Sequence, residues 1–333
     1  MSSITFDHKM AAHCESGAIT ALLNHAGLAV TEPLVFGISG SLFFGYFHTA
    51  LFPFPTFVLR NKPGRVRAKC MPRLGVKFQS SSFRSPAAAT QALDTLLARG
   101  TPVGVQVDFF YMDYVPEYAR AHFNAHYIVV VGREDDAYVI SDSYVPGLVT
   151  LPVARLQEAR FVKGPLAPKG TLFYPRAIPP DIDLRSAVRK GIKDAAFNML
   201  SIPIPFLGVK GIRHFARKLG DWPTFARDDE HLSHELMMIN VILEERGTGG
   251  GGFRFLYASF LQQAADILDQ PELAELAREM MTNGDRWRDI SLFSARIGKN
   301  RDMGPNRLRE LSAMLLDRAA EEERLFKRLR SAV

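Results

Sequence analysis

The sequence predicts an α+β domain followed by an all-α domain. Three observations carry this. Between residues 102 and 174, short runs rich in β-branched and aromatic residues alternate with polar turns. Beyond residue 184 the apolar residues fall at helical spacing in long segments. Between the two textures lies PRAIPPDID, residues 175–183, whose three prolines read as a linker. A chain of 333 residues is long enough for two domains of about 100–200 residues each. The expected boundaries are 1–178 and 179–333.

Residues 15–26 read as a helix, because Ala18, Ile19, Ala21, Leu22, Leu23 and Ala26 make it apolar on most faces and Gly27 stops it. Residues 33–59 carry no formal charge and are long enough to span a bilayer. Gly37, Gly40, Gly45, Pro53 and Pro55 break that run and His48 sits inside it, so it is expected to be a buried segment of a soluble chain, without a membrane. Residues 60–73 then gather Arg60, Lys62, Arg65, Arg67, Lys69 and Arg73 with no acidic residue among them. This cluster reads as a solvated basic loop or hairpin that suits an acidic partner or a phosphate.

Residues 86–99 form a second helix, with Pro86 at its start and Gly100 at its end. Strands are expected at 102–110, 125–132, 137–142, 147–151 and 170–174. The turn GREDD makes 125–142 an antiparallel hairpin. In the second domain, helices are expected at 230–246, 253–268, 272–283 and 306–332. The last carries Leu308, Leu311, Leu315, Ala319 and Leu325 on one stripe and offers a homodimer interface.

Composition narrows the class. Apolar residues make up 47% and charged residues 23% of the chain, which is ordinary for a globular protein with a real core. The two cysteines, Cys14 and Cys70, fit a reducing compartment, so a cytoplasmic location is expected. The N-terminus has no basic stretch leading into an apolar run, and no signal peptide is read there. A net charge of +6 without an aromatic-interleaved basic array gives no reason to expect nucleic acid.

The chemistry gathers at three residues. Cys14 stands at the start of an apolar helix, where the helix dipole and free backbone N–H groups favour a thiolate. His126 begins one strand of the expected hairpin and Asp142 closes the other, so the two ends meet. Nucleophile, base and orienter in this order are the parts of a catalytic triad, with Asp142 fixing the imidazole tautomer. Glu32 and Tyr46 are polar residues in the same region that the sequence alone does not place. His231 and His234, with Glu230 and Glu235 beside them, lack the spacing of zinc-binding helices, and no metal is expected. The glycines 247–252 lead into a helix, so Gly249, Gly250 and Arg254 are candidate contacts for a phosphate such as that of phosphopantetheine. The run lacks the Lys-Ser/Thr of a P-loop.

Cysteine at a helix start, followed far downstream by a histidine, an apolar strand, an acidic turn and an aspartate, resembles the papain-like cysteine peptidases, in particular their bacteriocin-processing C39 branch. More closely, His8, His13-Cys14-Glu15-Ser16, Leu22-Leu23, Gly27, Thr31-Glu32, Phe36-Gly37, Gly40 and Phe44 resemble the butirosin biosynthesis protein H N-terminal family. ILEERGTGGGGFRFLY, residues 242–257, is similar to the helical domain of unknown function that accompanies it.

The resemblance implies a papain-like first domain and an amide-forming acyltransferase of natural-product biosynthesis. The acyl donor it implies is a phosphopantetheinylated acyl carrier protein, docking at Arg60, Lys62, Arg65, Arg67 and Lys69. The acceptor is a small-molecule amine, and no cofactor is bound. Cys14 would attack the thioester, His126 would deprotonate Cys14 and later the amine, and Asp142 would orient His126. The peptidases place a Gln six residues before the cysteine. His8 stands there in this chain and is the candidate oxyanion donor beside the Cys14 backbone N–H. A cysteine peptidase or amidase using the same triad is the alternative, and a non-catalytic module of the same fold is a third reading.

Overall fold

The computed structural model describes residues 4–50 and 52–333. Met1, Ser2 and Ser3 of the N-terminus and Leu51 of the uncharged run lie outside the described residues. In chain order the first elements are α1 (Cys14–His25), α2 (Glu32–Ile38), β1 (Leu42–Thr49), β2 (Phe52–Arg60), α3 (Arg65–Arg73), β3 (Lys77–Ser81) and α4 (Pro86–Leu97). There follow β4 (Val103–Val107), β5 (His126–Glu134), β6 (Ala137–Ser141), β7 (Val149–Pro152), α5 (Val153–Arg160) and β8 (Leu172–Ala177). The remainder is helical: α6 (Leu184–Leu200), α7 (Gly208–Lys218), α8 (Trp222–Phe225), α9 (Asp229–Asn240), α10 (Arg254–Leu268), α11 (Pro271–Lys299) and α12 (Pro305–Ser331).

The chain forms two compact units. The first comprises residues 1–35 and 63–183, mixed α and β. Its six-stranded antiparallel sheet has the order β3-β8-β4-β5-β6-β7. Alternate residues Val103, Val105 and Val107 of β4 and Ile128 and Val130 of β5 enter one core with Leu93 and Leu97 of α4 and Leu156 and Ala159 of α5. The intervening Tyr127, Val129 and Val131 are also buried, and α1 packs against β5. A strand covered on both faces has no polar alternation, which is why residues 127–131 read as one apolar run. The β5–β6 hairpin forms as expected, pairing Glu134 with Ala137 around Asp135 and Asp136. Asp135 takes φ of 48° there, a left-handed conformation that Asp adopts more readily than most residues.

The second unit comprises residues 36–62 and 184–333. It takes the β1–β2 hairpin, which the expected boundary at 178/179 had assigned to the first domain. A lone two-stranded hairpin is marginal in water, and this one buries its aromatic face on helices. Phe44 stacks on Phe57, Phe215 and Trp287 at centroid separations of 5.8, 6.4 and 6.0 Å. Tyr46 accepts a hydrogen bond from the Trp222 indole N–H at 3.0 Å. The uncharged run therefore folds as a short helix and a hairpin, and among the described residues no helix is long and apolar enough to cross a membrane.

Helix α11 runs to Lys299, well past the expected end at Asn283. Gly284 marks a close approach: a Cβ there would come within 2.6 Å of the Phe255 ring. The glycines at 249–252, followed by Phe253, hold five consecutive positive φ angles of 69, 85, 53, 58 and 72°. Each such residue costs an L side chain roughly 1–2 kcal/mol, so four glycines make the left-handed turn feasible. Phe253 stacks on Phe36 at 5.1 Å, a contact that helps to hold it there.

Candidate functional site

Cys14 is the first residue of α1, and the loop leading into it is pinned. The Glu32 carboxylate accepts the Ala12 and His13 N–H groups and the Ser16 hydroxyl, each at 2.8 Å. Burial pushes the Glu32 carboxyl up, against those three hydrogen bonds. His13 caps the helix by accepting the Ser16 N–H on Nδ1 at 3.3 Å. Glu15 accepts the N–H groups of Gly64 and Arg67 at 3.0 and 3.3 Å. These contacts fix the helix start from both sides, with the thiol half-buried.

Cys14 Sγ lies 3.9 Å from the carbonyl oxygen of Ala125, the residue before His126, and Cys14 is among the groups that raise the His126 pKa. His126 opens β5 opposite Val107 of β4. Its Nε2 is 2.8 Å from Asp142 Oδ2, so Nδ1 is the nitrogen left for Cys14. The structure thus brings together the three residues singled out in the sequence. Burial opposes charge on the imidazole, but the Asp142 carboxylate, its hydrogen bond and Cys14 outweigh burial and raise the His126 pKa to about 10. The Asp142 carboxyl is itself held down: burial raises it, and His126, the Tyr144 N–H and Tyr114 more than compensate.

The raised value has a measurable consequence. Protonated His126 stabilises the fold fully below its ordinary pKa of about 6.5, and that contribution is lost as pH climbs towards about 10. The thermal-midpoint advantage of wild type over His126→Gln is therefore expected to shrink across that window. An advantage that stays constant with pH would contradict the assignment.

Sequence reasoning missed the residues that complete the site. Tyr114 donates its hydroxyl to Asp142 Oδ2 at 2.7 Å, and the Tyr144 N–H donates to Oδ1 at 3.0 Å. Phe109 stands edge-on to the His126 ring at 4.9 Å and to Tyr144 at 5.4 Å. Asp108, 0% exposed, holds His122 Nδ1 at 2.8 Å. Most of these lie in the irregular segment between β4 and β5, where no periodicity marks a role.

Other sequence candidates take structural roles. His8 has both ring nitrogens engaged, Nδ1 with Ser141 Oγ at 2.8 Å and Nε2 with the Val145 carbonyl at 2.9 Å. It ties the N-terminal segment to the end of β6 and has no ring N–H left for an oxyanion. Arg254 is fully buried, paired with Glu322 at 2.8 and 3.0 Å and with the Gly252 carbonyl at 2.7 Å. The Gly250 and Gly251 N–H groups go to Thr248 Oγ1 and Glu244 Oε1. With the Gly250 and Gly251 N–H groups engaged internally, Arg254 paired with Glu322 and the Glu244 carboxylate beside the turn, these groups are not free to hold a phosphate.

The basic segment is not one loop or hairpin: Arg60 closes β2 and Lys62 lies in the connection after it, both in the second unit, while Arg65, Arg67, Lys69 and Arg73 lie on α3. The Arg67 guanidinium covers the Phe173 ring at 4.6 Å. Tyr46 lies in the second unit, where burial pushes its hydroxyl up to about 12. His231 pairs with Glu235 at 3.4 Å, and among the described residues no group of three ligands could hold a metal ion.

A family model described as domain of unknown function DUF4872 matches residues 154–329, over half of the chain. The chain belongs to the DUF4872 family. A second model, described as butirosin biosynthesis protein H, N-terminal, matches residues 13–143. That match runs from the residue capping α1 to the residue after Asp142, so it contains all three site residues. DUF4872 begins within α5 and covers the helices that follow. No curated protein matches the chain.

Proposed function

We propose that this chain is a cysteine-dependent acyltransferase of papain-like design, passing an acyl group from a carrier-protein thioester to an amine. The observation that carries the reading is Cys14 at a helix start, its sulfur against the carbonyl of the residue before His126, with Asp142 behind the imidazole. The butirosin biosynthesis protein H match over 13–143 supports a place in natural-product biosynthesis. Two free cysteines suit a cytoplasmic enzyme.

In the first step the Cys14 thiolate attacks the thioester carbonyl carbon. The C–S bond to the donor breaks and the departing thiolate takes the proton from His126. In the second step the amine attacks the Cys14 thioester, neutral His126 takes the amine proton, and the Cys14 sulfur leaves with its electron pair. Thioester plus amine become amide plus thiol. The Cys14 backbone N–H in the first turn of α1 faces the oxyanion, and Asp142 holds the His126 tautomer. The carrier protein docks through its acidic surface on Arg65, Arg67 and Lys69 of α3.

Amide, free acid and thiol are to be quantified after mixing the enzyme with an acyl thioester and a primary amine. Wild type is expected to form amide in excess of acid, and Cys14→Ala neither. Acid as the main product, indifferent to amine concentration, would make the enzyme a hydrolase.

A further inference from the structure

Two side chains meet Asp142 at one oxygen. His126 Nε2 lies 2.8 Å from Oδ2, and the Tyr114 hydroxyl donates to the same atom at 2.7 Å, while Oδ1 takes the Tyr144 N–H at 3.0 Å. Tyr114 stands in the irregular connection between β4 and β5, packed against the core of the first unit. Burial and the Asp142 charge hold its hydroxyl well above the ordinary range, so it keeps its proton and acts as a donor. Met112 Sδ lies 3.1 Å from the hydroxyl, but a thioether is a weak acceptor and the carboxylate takes the hydrogen.

A second donor on one oxygen has a definite electrostatic effect. Each hydrogen bond to a carboxylate stabilises its charge and leaves less of it for the next partner. The titratable groups acting directly on His126 are Asp142, beyond β6, and Cys14 of α1. Phe109, edge-on to the ring, and Val107, opposite it on β4, carry no charge. Tyr114 therefore acts on the ring through Asp142. In the amine step the thiolate is consumed in the Cys14 thioester, and His126 must start neutral. The Asp142 charge works against that, because it favours the imidazolium.

We infer that Tyr114 is a positioning residue that weakens the hold of Asp142 on the imidazolium, and so keeps His126 available as a neutral base for the amine. As the N–C bond forms and the C–S bond to Cys14 breaks, the amine proton goes to His126 Nδ1, with the Nε2–H still on Oδ2. This rests on the proposed transferase reading, and the test separates the two.

Tyr114→Phe removes the hydroxyl and keeps the ring. Wild type and variant are loaded from an acyl thioester, then chased across a pH series with a weakly basic primary amine that stays unprotonated throughout. The pH midpoint of discharge is expected to rise by about one unit in the variant, a tenfold loss of rate at a fixed pH below the midpoint. The NMR titration of His126 in Cys14→Ala, which lacks the thiolate as the acyl-enzyme does, is expected to move the same way when Tyr114→Phe is added. An unmoved or lowered midpoint overturns the inference even where the rate falls, since lost packing slows the step at every pH alike. A wild-type enzyme that takes no acyl group overturns the transferase reading by itself. A His126 titration that Tyr114→Phe leaves unmoved overturns the inference whether or not the chain transfers acyl groups.

Discussion

Asp142→Asn is expected to lower amide formation by on the order of 10²-fold or more, the usual weight of a positioned general base, without unfolding the protein. The carboxylate receives three donors: His126 and Tyr114 on Oδ2, and the Tyr144 N–H on Oδ1. An amide has one oxygen. If it faces His126 and Tyr114, its NH2 group meets the Tyr144 N–H; if it is turned over, it presents donors to His126 and Tyr114. Either way a buried donor loses its acceptor. The His126 ring then loses the negative charge that offsets burial, and its pKa falls, because burial alone lowers it. Rates of thiol release and amide formation for the variant, compared with its thermal midpoint, separate this from simple destabilisation. A rate within a few-fold of wild type would remove Asp142 from the mechanism.

Glu322→Ala is expected to produce the largest loss of stability, roughly 3–5 kcal/mol, the cost of leaving a buried charge without its partner. Glu322 is fully buried and accepts from Arg254, Asn283 Nδ2 at 2.8 Å and Trp287 Nε1 at 2.7 Å. Arg254, Asn283 and Trp287 come from two helices, so one carboxylate joins α10, α11 and α12 in the second unit. Replacing both ends of the pair, Arg254→Met with Glu322→Leu, is expected to recover most of the loss, since well-packed apolar residues often substitute for a buried ion pair at little cost. Chemical denaturation of the single and double variants gives these numbers. A double variant no more stable than Glu322→Ala would show that the carboxylate matters through Asn283 and Trp287 instead.

The same cluster shows what a sequence hides. Arg254 follows four glycines and reads as an available cation, because its partner stands 68 residues downstream. By contrast, Cys14, His126 and Asp142 were legible because each sits at an element end that local pattern defines: an apolar helix start and the two ends of a hairpin. Tyr114, Asp108 and His122 were not, since an irregular connection carries no period and its hydrogen bonds follow the tertiary fold. The uncharged run at 33–59 announced burial correctly for residues 34–46, whereas His48, Thr49, Ala50, Phe52 and Pro53 are exposed. Apolarity says that a segment is covered but not by what, so the assignment of β1 and β2 to the second unit could not be read from it. The antiparallel sheet emerged from its apolar strands, whereas edge strand β3, KFQSS, was too polar to be seen.

The most direct test of the account is the mass of the Cys14-containing peptide after brief exposure of the enzyme to an acyl thioester, quenched in acid and digested. The account predicts a mass increase equal to the acyl group on that peptide, lost on adding a primary amine in step with the appearance of amide, and missing in Cys14→Ala. Amide formation that proceeds with Cys14 unmodified at every time point, or undiminished in Cys14→Ala, would contradict it.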